Sequence, residues 1–200
     1  MAAPSAGSTS DRIVAAATAE FARYGIAGAR VERIAKTART SKERVYAYFR
    51  SKEALYRHVA ARELAAVAEA THMVPADLPA YAGRVHDYFT RHPERQRLMM
   101  WGQLELLPGE TPAGDPFQQS VRDKIEQLRK AQEAGQLDAA WDPADILVFV
   151  SQIAMSWAAQ PGLTPAGGQH DAFLAERRAA IVAAVQRLFP AAASGSASSH

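Results

Sequence analysis

Two hundred residues with 48% apolar content are ample for one core, or for a small domain continuous with a larger one. The 23 Lys/Arg barely exceed the 21 Asp/Glu, and the absence of cysteine excludes a disulfide framework and any Cys-based metal site or nucleophile, which suits a reducing cytoplasm. No basic segment followed by an apolar run opens the chain, and no apolar stretch approaches the ~18 residues needed to cross a bilayer, so no membrane partner is expected.

Residues 1–9, small, polar and bearing Pro and Gly, read as a flexible arm. From a cap at Thr9 or Ser10, Ile13, Ala17, Phe21 and Tyr24 follow a helical stripe that stops at Gly25. Val31, Ile34, Ala35 and Ala38 then recur at the spacing of one helix face. A turn through Thr40 leads to Ser41, whose side-chain oxygen is placed to accept from the free N–H groups opening the next helix. That helix, from Lys42 to about Phe49, has only Val45 and Phe49 on an apolar face, which leaves Lys42, Arg44, Tyr46 and Tyr48 in want of a partner. Ser51 caps a further helix, with Leu55 and Val59 one turn apart beneath Lys52 and Arg57. Two short helices across a tight turn, the second basic and aromatic outside, predict a helix-turn-helix DNA reader over residues 10–60.

The run IAKTARTSKERVYAYFRSKEALY resembles the DNA-binding signature of the TetR (tetracycline-repressor) family of bacterial transcriptional regulators. The likeness lies in Ile-Ala, the Ser-initiated helix, the Val-Tyr-x-Tyr-Phe run and Ser-Lys-Glu-Ala-Leu at fixed offsets, and covers residues ~8–60. Two positions depart from the pattern. Arg39 occupies a turn position usually held by Gly, so a left-handed backbone there carries a strain on the order of 1 kcal/mol. Arg30 stands where Ser or Thr often caps the first helix of the motif. The resemblance implies an all-α chain with three helices for DNA and the remainder, residues 61–189, for ligand binding and dimerisation; a double-stranded operator and a small-molecule effector are the partners it brings.

Charge distribution agrees with a DNA partner. Residues 1–60 hold 11 Lys/Arg against 5 Asp/Glu, whereas residues 61–200 hold 12 against 16. A basic region of this kind supplies the salt-dependent, sequence-independent part of DNA affinity. Lys42 and Arg44, in the first turn of the recognition helix, are the expected readers of base edges, with Tyr46 on a base or sugar; Tyr48 and Lys52 hold phosphates, and Arg30 and Arg33 are further phosphate candidates beside Thr40 and Ser41.

The helix begun at Ser51 reads on to about residue 73, ended by Pro75 and Pro79, as a rod joining the two parts. Residues 78–92 predict a fifth helix, and 92–107 a sixth with Leu98, Trp101, Leu104 and Glu105 spaced by three or four. TPAGDP then breaks the chain. A seventh helix runs from 116 to 134 and ends at Gly135; Asp142 and Pro143 start an eighth, to 159, with Ile146, Leu147, Val150, Ile153, Ala154 and Trp157 on one stripe and Val148, Phe149 and Met155 on another. After a Gly- and Pro-rich loop, residues 170–189 give a ninth helix, and 190–200 read as a disordered tail. About nine helices and no convincing strand place the chain in the all-α class.

Chemistry other than binding finds no constellation: the His residues form no metal-ligand pattern, there is no phosphate loop or nucleophile elbow, and GGQH at 167–170 is a linker. No enzymatic activity and no cofactor are expected. Met100, Trp101, Phe117, Phe149, Met155 and Trp157 are large or deformable side chains able to line an apolar pocket, although such a stripe is more often core. The paucity of buried-looking charge points to an effector more apolar than ionic. Because one recognition helix reads only a few base pairs, a homodimer on a palindromic operator is expected, joined through the last two long helices at Ile181, Val185 and Leu188. The reading is a cytoplasmic repressor released by a small molecule. Its alternatives are a structural DNA-binding protein without an effector and an enzyme carrying a helix-turn-helix as an interaction module.

Overall fold

The computed structural model describes residues 8–106, 114–158, 160, 163 and 170–190. Most of the expected arm and tail, part of the TPAGDP break and the GGQH loop as far as Gln169 lie outside the described residues. Within them the chain is all-helical: α1 Thr9–Gly28, α2 Val31–Thr37, α3 Lys42–Tyr48, α4 Lys52–Thr71, α5 Leu78–Arg91, α6 Pro93–Glu105, α7 Pro116–Glu133, α8 Pro143–Met155 and α9 His170–Leu188. A 3-10 turn, Pro75–Asp77, precedes α5.

Local chemistry explains where most of these helices begin and end. The cap of α1 is Ser8 rather than Ser10 or Thr9, because Asp11, three residues on, completes a capping box with it. Asp142 caps α8 through a 2.7 Å bond from the Ala144 amide, with Pro143 in the first turn. Pro79 ends nothing: it sits in the first turn of α5, where its missing N–H has no partner to lose. The ends of α2 and α7 are the same motif in two versions. Thr40 N–H bonds Ala35 O and Arg39 N–H bonds Lys36 O; Gln136 N–H bonds Ala131 O and Gly135 N–H bonds Gln132 O. The residue at the bend is left-handed in both, Gly135 at φ 70° and Arg39 at φ 53°, so the strain foreseen at Arg39 is present.

The chain divides into two compact units. The first takes in residues to Ala66 together with His92–Phe117, so α6 belongs with the helix-turn-helix and not with the rest of 61–189. Its core joins Ile13, Ala17 and Phe21 of α1 to Ile34, Val45, Leu55, Tyr56, Val59 and Leu98. Tyr56 meets Phe21 edge to face at 5.3 Å and donates its hydroxyl to Leu98 O at 2.7 Å; burial pushes the phenol up to about 12. Arg95 of α6 pairs with Glu63 of α4 at 3.2 Å. Tyr24 and Leu104, expected on buried stripes, are exposed at 39% and 71%.

The second unit, Val67–Arg91 with residues from Gln118 on, packs α5, α7, α8 and α9 around Leu78, Tyr81, Val85, Phe89, Leu128, Ile146 and Val150. Arg178 of α9 grips both oxygens of Asp87 on α5 at 3.0 and 2.9 Å. Ile181 and Val185, expected at a subunit interface, are instead core side chains of this unit, 3% and 0% exposed, because α9 turns that face to its own neighbours. Conversely Val148 and Phe149 of α8, two of the three residues of its second apolar stripe, remain 53% and 42% exposed, and Leu188 is 42% exposed.

Candidate nucleic-acid interface

The reader is built from α2, the turn after it and α3. Ser41 Oγ accepts from the Arg44 amide at 3.2 Å and so starts α3 abruptly after the turn. Val45, 1% exposed, and Phe49, its ring 5.1 Å from that of His58, anchor α3 on the core of the first unit. With only those two anchors on so short a helix, Lys42, Arg44, Tyr46 and Tyr48 are left in solvent, the two tyrosines 40% and 50% exposed. The Arg44 guanidinium has no hydrogen bond or ion pair among the described residues. Lys42 pairs with Glu32 of α2 at 2.5 Å; that contact raises the lysine pKa and lowers that of the carboxyl, and both groups stay exposed.

The candidate phosphate ligands divide by what already holds them. Arg30 begins α2 without capping it by a side-chain bond; its amide instead donates to Glu20 at 2.9 Å. Arg33 is engaged on three sides, by Glu20 at 2.7 Å, by Gly28 O at 3.0 Å and by the Tyr24 ring at 4.3 Å, so it clamps α2 to α1. Lys52 reaches back to Ala27 O at 3.0 Å and Ala29 O at 3.4 Å, which places its charge at the end of α1. Thr40 is half-buried, its amide closing the turn.

The sequence reading passed over Arg50. It is exposed between α3 and α4 and shares a shallow, solvent-open groove with Arg30, Tyr46, Ser51 and Lys52. Ser51 Oγ caps α4 by accepting from Ala54 N at 3.0 Å, and the start of α4 opens onto the same groove. Cations flanking a helix start of 20 residues suit a phosphate. The available signal was its place beside the capping Ser51, in the break between two helices.

The six candidate ligand residues are divided between the two units. Met100, Trp101 and Phe117 belong to the first unit; Trp101 of α6 packs against α1, its indole N–H donating to Ala22 O at 3.4 Å, while Met100 and Phe117 are 41% and 42% exposed. Phe149 meets Trp141 edge to face at 5.9 Å, and Trp157 meets Phe173 at 5.5 Å beside Met155 in the second unit. Among the described residues no group of three His, Asp or Glu is placed to hold a metal, and no helix is long and apolar enough to cross a membrane.

Known proteins resemble the chain at both ends. Residues 13–59 match the tetR family of bacterial regulatory proteins, and residues 77–187 match the tetracyclin repressor-like C-terminal domain. The HTH-type transcriptional repressor SCO4008 of Streptomyces coelicolor is 37% identical over 158 residues, 79% of this chain and 82% of its own length. Among solved structures, SCO4942 of Streptomyces coelicolor aligns with a TM-score of 0.77 and 56% identity over 92% of this chain and 99% of that one. The tetR regulator TylP of Streptomyces fradiae shares the fold, with a TM-score of 0.64 at 23% identity over 96% of this chain and 90% of that one.

Proposed function

The chain belongs to the tetR family of bacterial regulatory proteins and is a DNA-binding regulator, not an enzyme; from that premise we propose that it is a cytoplasmic repressor, gripping a palindromic operator as a homodimer and released by a small, largely apolar effector. The observation that carries the reading is the outward face of α3, where Arg44 and Lys42 stand free of the core beside Tyr46 and Tyr48. In the major groove the first two reach base edges, Tyr46 a base or sugar and Tyr48 a phosphate. Arg30 and Arg50 flank a phosphate at the start of α4. Lys52 contributes its charge from a fixed position, and Arg33 acts by holding α2 in place. The repressor sense follows the similarity to SCO4008, which is named a repressor.

Two-fold pairing joins two such readers. Its surface is the exposed apolar set Val148, Phe149 and Leu188 of α8 and α9, next to Trp141 and Phe189, whose rings lie 5.1 Å apart. Release by an effector requires it to bind the arrangement with misplaced readers more tightly; a ~100-fold loss of operator affinity corresponds to ~2.7 kcal/mol of coupling. The test is selection of duplexes from a random library by the full chain, followed by footprinting. An enriched inverted repeat with two half-sites on one face of the duplex is the expected result; protection without a consensus would replace this reading with a structural DNA-binding protein.

A further inference from the structure

Glu32 of α2 and Lys42 of α3 form an ion pair across the two helices of the reader, Oε1 to Nζ at 2.5 Å, and both side chains are exposed, at 61% and 46%. Glu32 also lines the groove it shares with Arg30, Tyr46, Arg50 and Lys52. A carboxylate on a surface that meets DNA opposes every phosphate it approaches. The carboxylate of α3 itself, Glu43, hydrogen-bonds Ser41 and belongs to the start of that helix. Glu32, in the first turn of α2, reaches across to the recognition helix instead. An exposed pair of this kind contributes little to stability, so holding α2 to α3 does not account for it.

A paired lysine reads DNA differently from a free one. Alone, its ammonium is a mobile point charge that any phosphate satisfies; beside Glu32 it becomes half of a donor–acceptor doublet with almost no net charge. Base pairs present the complementary doublet in the major groove. The keto oxygen and the amino nitrogen of one pair are hydrogen-bonded to each other and so lie about 2.9 Å apart, close to the 2.5 Å between Lys42 Nζ and Glu32 Oε1. We propose that Glu32 is a specificity-determining residue: with Lys42 it reads a single base pair, the ammonium donating to a keto oxygen and the carboxylate accepting from the amino group paired with it. G·C and T·A both place the keto group on the side of Lys42; C·G and A·T set donor against donor and acceptor against acceptor. G·C ranks ahead of T·A, because guanine N7 gives the ammonium a second acceptor. The assignment rests on α3 entering the major groove, as the proposed function has it.

The test uses the full chain, the half-site selected by the natural chain with every single-base-pair substitution of it, and a random-sequence duplex. The variants are Glu32→Ala, Lys42→Ala and the charge swap Glu32→Lys with Lys42→Glu; the pair is exposed, so all three should fold by circular dichroism. Both alanine variants are expected to flatten the preference at the same single position, by about tenfold, and to leave the other positions as they were. Glu32→Ala should also bind the random duplex several-fold more tightly, with a salt slope steeper by roughly 0.9, the contribution of one freed cation. The charge swap keeps an ion pair but inverts the doublet, so it should prefer the reversed base pair at that position. Flattening at different positions or at none, a random-duplex affinity unchanged by Glu32→Ala, or a swapped chain with the natural preference or none there would each overturn the assignment and leave the operator reading intact. No consensus for the natural chain would overturn both.

Discussion

The carboxylate of Glu105, at the end of α6, accepts a 2.6 Å hydrogen bond from the amide of Ala27, just past the bend in α1. The bend is Gly25, at φ 70° and ψ −176°, and a Cβ there would press on both Glu105 and the Trp101 ring. A second close approach lies further along, where Tyr56 stands against Gly102. Through these contacts α6 is fastened to the helices that carry the reader.

Gly25→Ala should therefore be worse than Glu105→Ala. The first adds an unfavourable left-handed backbone of about 1–2 kcal/mol to a clash with an indole. The second removes one hydrogen bond at a site open to water, about 0.5–1.5 kcal/mol. Urea unfolding of both variants measures the order, and equal or reversed losses would mean that the left-handed backbone and the indole clash at Gly25 do not carry the larger cost.

Arg39→Gly should stabilise. Gly removes the left-handed strain at φ 53°, and the extra freedom it gives the unfolded chain offsets part of the gain, leaving on the order of 0.5–1 kcal/mol. A lower urea midpoint for this variant would show that the arginine side chain contributes something the backbone argument omits.

Arg44→Ala should lose about 1–3 kcal/mol on the selected operator and discriminate less between sequences, with unfolding unchanged. Lys52→Ala should behave differently, lowering stability because its ammonium bonds Ala27 O and Ala29 O. Binding isotherms across a salt series separate the two. Equal losses for Arg44→Ala on operator and random DNA would remove its base-reading role.

Leu188→Glu or Phe149→Glu should give folded monomers, whereas Ile181→Glu should unfold the second unit, since an unpaired carboxylate there has no access to water. Sedimentation together with circular dichroism decides between these outcomes. A folded, monomeric Ile181→Glu would return that residue to the subunit interface.

Burial lowers the pKa of His86 from its usual value, so between that lowered value and about 6.5 the unfolded chain binds a proton that the folded chain does not. Its contribution to stability is complete above about 6.5 and falls as pH falls below it. The groups facing it are Asp87, which favours the proton, and Arg178, which opposes it. Denaturant unfolding of His86→Leu should show a flatter profile than the natural chain across this window; parallel profiles would show that His86 is not the group responsible.

What the residues determine by themselves is whatever is settled within a turn or two of helix. Ser41 three residues before Arg44, Asp142 before Pro143, and the spacing of Val45 and Phe49 specify where helices start and which side chains of α3 have no core to enter, because capping and face periodicity act between near neighbours. The left-handed turn at Arg39 was legible only through the resemblance, which has Gly at that position. Tertiary structure alone decides which apolar stripes are covered and which cations are engaged. Nothing near Glu105 marks it as the partner of Ala27, 78 residues earlier, nor Arg178 as that of Asp87, 91 residues earlier. Ile181 and Val185 read the same in sequence as Leu188, yet two are core and one is exposed. Burial is a property of what packs against a face, and a single helix carries the face without the neighbour.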